Sequence, residues 1–431
     1  MRYLLKGARV VDPRVKLDGS FDILVEDGVI GAVGKNLVVE PGVEVVDLTG
    51  RVIVPGLIDI HTHLRDPGLE YKETIESGTA AAAHGGFVGV CCMPNTKPVA
   101  DNAATIRDIV ERAETVGHAR VWPMGAITRD LEGERLVEMA DMLDAGAVAF
   151  SDDGRGVQSA GMVRFALEYG KQFEAVLALH SEDESLVGRG VVNEGVVSTR
   201  LGLPGQPDIG ESIAVARDLA LAEYTGGRVH ICHVSTARTV EVIRQAKRAG
   251  VAVTAEVTPH HLLLTEDDID NSYPTNLKVN PPLRTETDRR ALLAALQDGT
   301  IDCVASDHAP HAPHEKQVEF ELAAFGTTGL ETSLPIVLSE FVRAGLLDLN
   351  QLVERMAHGP REAIGLPLVT LQSGQVADLT VIDPERVVTV DESYFESRSR
   401  NSAFLGRTFT GAATDVLVGG AFTMRDGRVV R

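Results

Sequence analysis

Between residues 56 and 365 the chain repeats one pattern eight times: a short apolar run, then a longer stretch whose apolar residues recur at helical spacing. The runs lie at 57–61, 87–92, 120–124, 147–151, 175–180, 228–233, 251–257 and 301–306. Strands alternating with helices predict parallel βα units, because two parallel neighbours need a crossover long enough to hold a helix. Eight such units predict a (β/α)8 barrel of TIM type, in which active sites lie at the C-terminal ends of the strands. The residues that close each run are therefore where function is to be sought.

The flanks read differently. In Asp22-Ile-Leu-Val-Glu26, then Asp27-Gly28, then Val29-Ile-Gly-Ala-Val33, short alternating runs are broken by a turn pair. Ala377-Asp-Leu-Thr-Val-Ile-Asp383 and Asp415-Val-Leu-Val418 return to that style near the other end. The expected fold class is α/β, with residues 56–365 as the barrel and residues 1–55 together with 366–431 as one small β-sandwich domain.

The first run closes on His61-Thr-His63, and in an extended strand residues two apart face the same side. The fourth runs into Asp152-Asp153, the fifth ends at His180, the sixth at His233 and the eighth at Asp307. Imidazole and carboxylate suit zinc and similar divalent ions, and a carboxylate can span two of them. Such residues at five of eight strand ends predict a metal centre. Other polar candidates read as structural. His230 should face away from His233, the adjacent His260 and His261 point in divergent directions, and His308 alternates away from Asp307. Cys91 and Cys92 sit in an apolar run with no basic neighbour to activate a thiol.

Composition excludes several partners. A net charge of -21 repels nucleic acid and anionic membranes, and it requires that any anionic substrate meet a locally positive site. No run of 18 apolar residues occurs, and the opening Met-Arg-Tyr-Leu-Leu-Lys-Gly lacks a signal-peptide pattern, so a cytoplasmic location is expected. The four cysteines include no CxxC and read as buried thiols.

Longer motifs carry a resemblance. Asp59-Ile-His-Thr-His-Leu-Arg-Asp-Pro-Gly68, Lys72-Glu-Thr-Ile-Glu76, Cys92-Met-Pro-Asn-Thr96, Val279-Asn-Pro-Pro-Leu-Arg284, Ser306-Asp-His-Ala-Pro-His311 and Ser399-Arg-Asn-Ser-Ala-Phe-Leu-Gly406 together resemble the dihydroorotases of the amidohydrolase superfamily, in their longer bacterial form with a composite β domain. The resemblance implies reversible interconversion of L-dihydroorotate and N-carbamoyl-L-aspartate in pyrimidine synthesis. It implies two divalent metal ions, zinc being the first expectation from the ligand types, with manganese, cobalt and iron as alternatives. His61, His63, Asp153 and Asp307 would hold one ion, and His180 and His233 the other with Asp153 shared. Many relatives bridge their metals with a modified lysine after strand four, but Gly146-Ala-Val-Ala-Phe-Ser151 has none. Asp153 matches the substitute in one subgroup, and Asp152 is its rival, which strand alternation does not decide.

The resemblance further implies a metal-bridging hydroxide as nucleophile, with Asp307 as general acid and base. Arg65, Asn95 and His311 would grip the substrate carboxylate, Arg65 through paired charge-assisted bonds. Asn280, Phe325 and Gly326 would touch the ring, the last two from a covering loop over 309–328. The alternatives are another cyclic amidohydrolase, such as dihydropyrimidinase or allantoinase, or an inactive structural partner of aspartate transcarbamoylase. An active enzyme that binds the transcarbamoylase, and a homodimer, are also compatible with the family.

Overall fold

A computed structural model describes residues 2–38 and 40–430. The N-terminal strands are β1 (Arg2–Asp12), β2 (Leu17–Glu26), β3 (Val29–Gly34), β4 (Glu44–Asp47) and β5 (Val52–Pro55). The barrel begins with β6 (Leu57–Thr62), β7 (Phe87–Cys92), β8 (Arg120–Gly125), β9 (Ala149–Phe150) and β10 (Val176–Leu179). A two-stranded ribbon, β11 (Val192–Asn193) and β12 (Gly205–Gln206), interrupts the fifth crossover. Then follow β13 (Arg228–Ile231), β14 (Val253–Val257) and β15 (Cys303–Val304), and outside the barrel β16 (Leu379–Thr389), β17 (Thr408–Val418), β18 (Ala421–Arg425) and β19 (Arg428–Val429).

The eight barrel strands pair in parallel in sequence order from β6 to β15. Between the last and the first, Thr62 bridges His308 and the His63 amide donates to the His308 carbonyl at 2.9 Å. The fourth and eighth strands are shorter than their apolar runs. At the eighth, the Ser306 amide leaves the ladder and donates to the Asp59 carboxylate at 3.0 Å, so a side chain replaces a neighbouring carbonyl. Strands buried on both faces explain the unbroken apolar runs: every residue of β6 and β7 is buried.

Both chain termini contribute to one continuous sheet of order β19-β18-β17-β16-β5-β1-β2-β3, with β4 also on β1. It encloses its own core, in which Leu5 and Val10 of β1, Ile23 of β2, Ile53 of β5, Val381 of β16 and Leu417 of β17 meet. The turn between β2 and β3 has Asp27 at φ 49° and Gly28 at φ 88°, the left-handed pair that a two-residue hairpin demands. Only Gly56 separates β5 from β6, and a Cβ there would lie 2.5 Å from Val88, so this seam needs glycine. Among the described residues no helix is long and apolar enough to cross a membrane.

Candidate metal and substrate site

The histidines and aspartates that end the strands converge at one mouth of the barrel. His61 Nε2 lies 3.4 Å from Asp153 Oδ1 and 3.5 Å from Asp307 Oδ1, and His63 Nε2 lies 3.1 Å from Asp307 Oδ1 and 3.5 Å from Asp153 Oδ2. His180 Nδ1 and His233 Nε2 are 2.9 Å apart, each 3.6 Å from Asp153 Oδ1. Asp153 is thus common to all four rings. Asp152 is turned the other way. Its carboxylate accepts from the amides of Ile127 and Thr128 at 2.7 and 3.0 Å and from the Thr128 hydroxyl, anchoring the loop after β8.

The donor set fits divalent cations. His61 Nε2 and Asp153 Oδ1 are buried without a hydrogen-bond partner, a costly state that a cation between them would relieve. The ligand atoms of His61, His63 and Asp307 lie within 4.8 Å of one another, as do those of His61, Asp153 and His233. Burial opposes ionisation of Asp153, yet the charge of His61 and contacts with His180 and His233 hold its carboxyl well below the usual range. Asp307 is likewise buried and is held low by His61 and His63. A third grouping, His61 with Cys232 and Glu256, is chemically poorer, because burial pushes the Cys232 thiol up to about 12.

Glu256 of β14 ties the centre together from behind. Fully buried, it accepts from His61 Nδ1 at 2.5 Å, from His230 Nε2 at 3.0 Å and from the His233 amide at 3.1 Å. It therefore orients ligand candidates from two different strands, and sequence reasoning missed it. The available signal was a lone carboxylate inside an apolar strand, which is rarely buried unless paired. His230 itself is bound to Glu256 and Thr254, away from the centre. His261 bonds Thr258 and the Pro281 carbonyl, and His308 bonds Glu73, so both serve the scaffold. Cys91 and Cys92 are buried, and burial raises both thiols.

The opposite wall is built from loops. Arg65, with φ 60° and 9% exposure, donates from Nε to the Pro310 carbonyl at 3.3 Å and lies beside His311. Its sequence neighbour Asp66 pairs with Arg112 instead, at 2.8 Å. His311 Nε2 lies 2.8 Å from the Phe325 carbonyl, and its amide donates to Asn401 Oδ1 at 3.0 Å. Asn401 also donates to the carbonyls of Ala309 and Gly326, fastening both ends of the covering loop. That loop is not wholly irregular, since a short helix, Pro313–Lys316, stands inside it. Gly326 has φ 128°, and a Cβ would meet Ala309 at 2.6 Å, so the close approach to His311 requires glycine.

Asn95 accepts from His63 Nδ1 at 2.9 Å, which links the two walls. Asn280 accepts from Gln206 at 3.1 Å, with its own amide 3.4 Å from His180 Nε2, and Gln206 is held in turn by Glu182. Arg65, Asn95, Asn280, His311, Phe325 and Gly326 line one cavity of about 240 Å³ with His63, Asp153, His180, His233 and Asp307. His61 lies behind it, fully buried. Three residues of this region, Arg65, His233 and Asp307 (φ 60°, 34° and 46°), hold left-handed backbone that non-glycine residues seldom adopt.

Four imidazoles and two carboxylates of the kind that hold divalent cations thus gather beside a buried arginine at a cavity of small-molecule size, chemistry suited to a small anionic molecule. Comparison with known proteins agrees. A family model described as "Dihydro-orotase-like" matches residues 50–239. The dihydroorotase of Trichlorobacter lovleyi is 50% identical over 420 residues, 97% of this chain and 98% of its own. That of Pelotomaculum thermopropionicum is 50% identical over 431 residues, 100% of each. Among solved structures, the L-hydantoinase (dihydropyrimidinase) from Arthrobacter aurescens superposes with a TM-score of 0.90 at 29% identity, covering 100% of this chain and 97% of that one. At this identity and coverage the curated relatives decide the matter: the chain belongs to the dihydroorotase family.

Proposed function

We propose that this chain is a metal-dependent dihydroorotase, which opens L-dihydroorotate to N-carbamoyl-L-aspartate and closes it again in pyrimidine synthesis. The observation that carries the reading is Arg65, a buried guanidinium facing the same cavity as the His and Asp cluster. His61, His63 and Asp307 would hold one divalent ion and His180 and His233 a second, with Asp153 between them. Zinc is the first choice. When bound, such ions supply Lewis acidity to the scissile carbonyl and make water a better acid.

The remaining work falls to the chain. Arg65, His311 and Asn95 bind the exocyclic carboxylate and so orient the ring, while Asn280 meets its edge. Asp307, held in its basic form by His61 and His63, takes a proton from the attacking water as the new C–O bond forms. It returns that proton to the ring nitrogen as the C–N bond breaks, and the nitrogen leaves as the terminal amide of the carbamoyl group. Cyclisation runs the same proton path backwards. The covering loop with Phe325 and Gly326 limits water at the cavity mouth.

Hydantoinase kinship concerns the fold, and the neutral rings of hydantoins and dihydrouracil offer Arg65 no carboxylate. All the expected ligand positions are filled, which favours an enzyme over an inactive partner. The decisive experiment measures metal content, then assays dihydroorotate beside hydantoin, dihydrouracil and allantoin. Turnover of dihydroorotate alone is expected, and activity on neutral rings without it would overturn the reading. The same proposal carries a cytoplasmic location, a homodimer and association with aspartate transcarbamoylase, to be checked by fractionation, light scattering and co-purification.

A further inference from the structure

Lys72 belongs to the loop after β6, yet its side chain is largely buried and reaches the far side of the carboxylate-binding wall. Its Nζ lies 2.7 Å from Glu315 Oε1 and 3.4 Å from His311 Nδ1. Glu315 is fixed by the Ala312 amide, which donates to Oε2 at 3.0 Å, and Oε2 stands 3.6 Å from His311 Nδ1. The other ring nitrogen, Nε2, lies 2.8 Å from the Phe325 carbonyl, which can only accept. An ammonium has no lone pair, so a bond from Lys72 requires a bare Nδ1. The carbonyl requires hydrogen on Nε2. Both demands are met by one species, the neutral imidazole protonated at Nε2.

One contact asks for the reverse, since the Arg65 guanidinium can only donate and stands 3.5 Å from Nε2, but the Phe325 carbonyl at 2.8 Å is the closer partner and decides the tautomer. Lys316 follows Glu315 on the short helix, and Asn401 fixes the His311 backbone. Burial first, then the charges of Arg65, Lys72 and Lys316, bring the ring down to about 3, with Glu315 opposing.

We propose that Lys72, held by Glu315, is a positioning residue that fixes His311 as the neutral Nε2–H tautomer, whose one ring hydrogen, held by the Phe325 carbonyl in this structure, is shared with the substrate carboxylate beside Arg65 when it binds, rather than a lone pair being turned toward it. This rests on the carboxylate reading above. Without Lys72, the unpaired Glu315 draws a proton to Nδ1. The ring then turns a lone pair toward the carboxylate at high pH and regains a donor only when doubly protonated at low pH. The consequence is a binding defect that grows with pH.

The test compares Lys72→Met and Lys72→Arg with Arg65→Met as control, assayed with dihydroorotate from about pH 5 to about pH 9, which brackets the titration of an ordinary histidine. Long-range 1H–15N spectra of histidine-labelled protein report the tautomer, with His311 assigned by its loss in His311→Gln. Wild-type protein is expected to show His311 as neutral Nε2–H throughout. Lys72→Met should lose that form and raise KM roughly tenfold at the alkaline end, recovering toward the acid end with a smaller change in kcat, as the loss of one charge-assisted bond implies. Lys72→Arg, which keeps the cationic donor, should restore the wild-type profile.

If Arg65→Met raises KM but Lys72→Met changes neither KM nor the tautomer, the inference fails and the carboxylate reading stands. If Arg65→Met also leaves KM unchanged, the underlying reading fails. Equal loss of kcat at every pH in both lysine variants, with the wild-type tautomer, assigns Lys72 to packing and overturns the proposal.

Discussion

The two walls of the cavity are built by different means. The wall of His61, His63, Asp153, His180, His233 and Asp307 sits at strand ends and is braced from within by Glu256, a carboxylate on a neighbouring barrel strand. The facing wall of Arg65, Asn280, His311, Phe325 and Gly326 is made of loops fastened to other loops, and Phe325 is 36% exposed. Bond-breaking groups need fixed geometry, which a closed sheet supplies, whereas recognition of one ring among several can be carried on segments that vary without disturbing the sheet.

Variants should separate the two walls. The largest effect is expected for Asp307→Asn, which removes the proposed proton carrier while leaving a side chain of the same shape. Turnover should fall by roughly 10²–10⁴ in both directions, and metal analysis should find most of the metal retained. Near-normal turnover at unchanged metal content would remove Asp307 from the proton path. Next is Arg65→Met on the loop wall, with KM for dihydroorotate raised by roughly 10 to 100-fold and metal content unchanged. An unaltered KM would break the division between the walls. The smallest effect in turnover at saturating metal belongs to Glu256→Gln, which loosens His61 and His233 without touching substrate. Its metal affinity should drop by about 10 to 100-fold in a chelator competition, with KM for dihydroorotate near wild type. A Glu256→Gln protein that loses KM but not metal would place Glu256 on the wrong wall.

The contrast also explains what could be read from the sequence. Strand-borne residues announce themselves, because an apolar run has an end and His61, His180 and Asp307 stand at it. Asp152 and Asp153 could not be told apart because β9 is only two residues long and the chain has left the strand before reaching them. Their roles are divided by the amides of Ile127 and Thr128, which come from just past the end of the neighbouring strand β8 and are invisible to local periodicity. Glu256 was overlooked for a related reason: its partners lie on two other strands, and only closure of the barrel brings them to it. On the loop wall, the matched motifs contained Lys72 and Asn401 as well as Arg65 and His311 but gave a role only to the latter two, because the bonds of Lys72 and Asn401 to residue 311 span 239 and 90 positions.

Asn401 has a consequence for how the protein is made. A ribosome delivers all eight strands of the barrel before residue 401, and domains generally begin folding as they emerge. The Asn401 side chain joins the loop over the cavity only once it is outside the exit tunnel, adding its bonds to Ala309, His311 and Gly326 to those, such as Ala309 to Thr327 and Gly326 to Lys278, that earlier residues already make. A nascent chain that already has its eight strands therefore still lacks the last fastening of the loop over the cavity, which arrives only with residue 401.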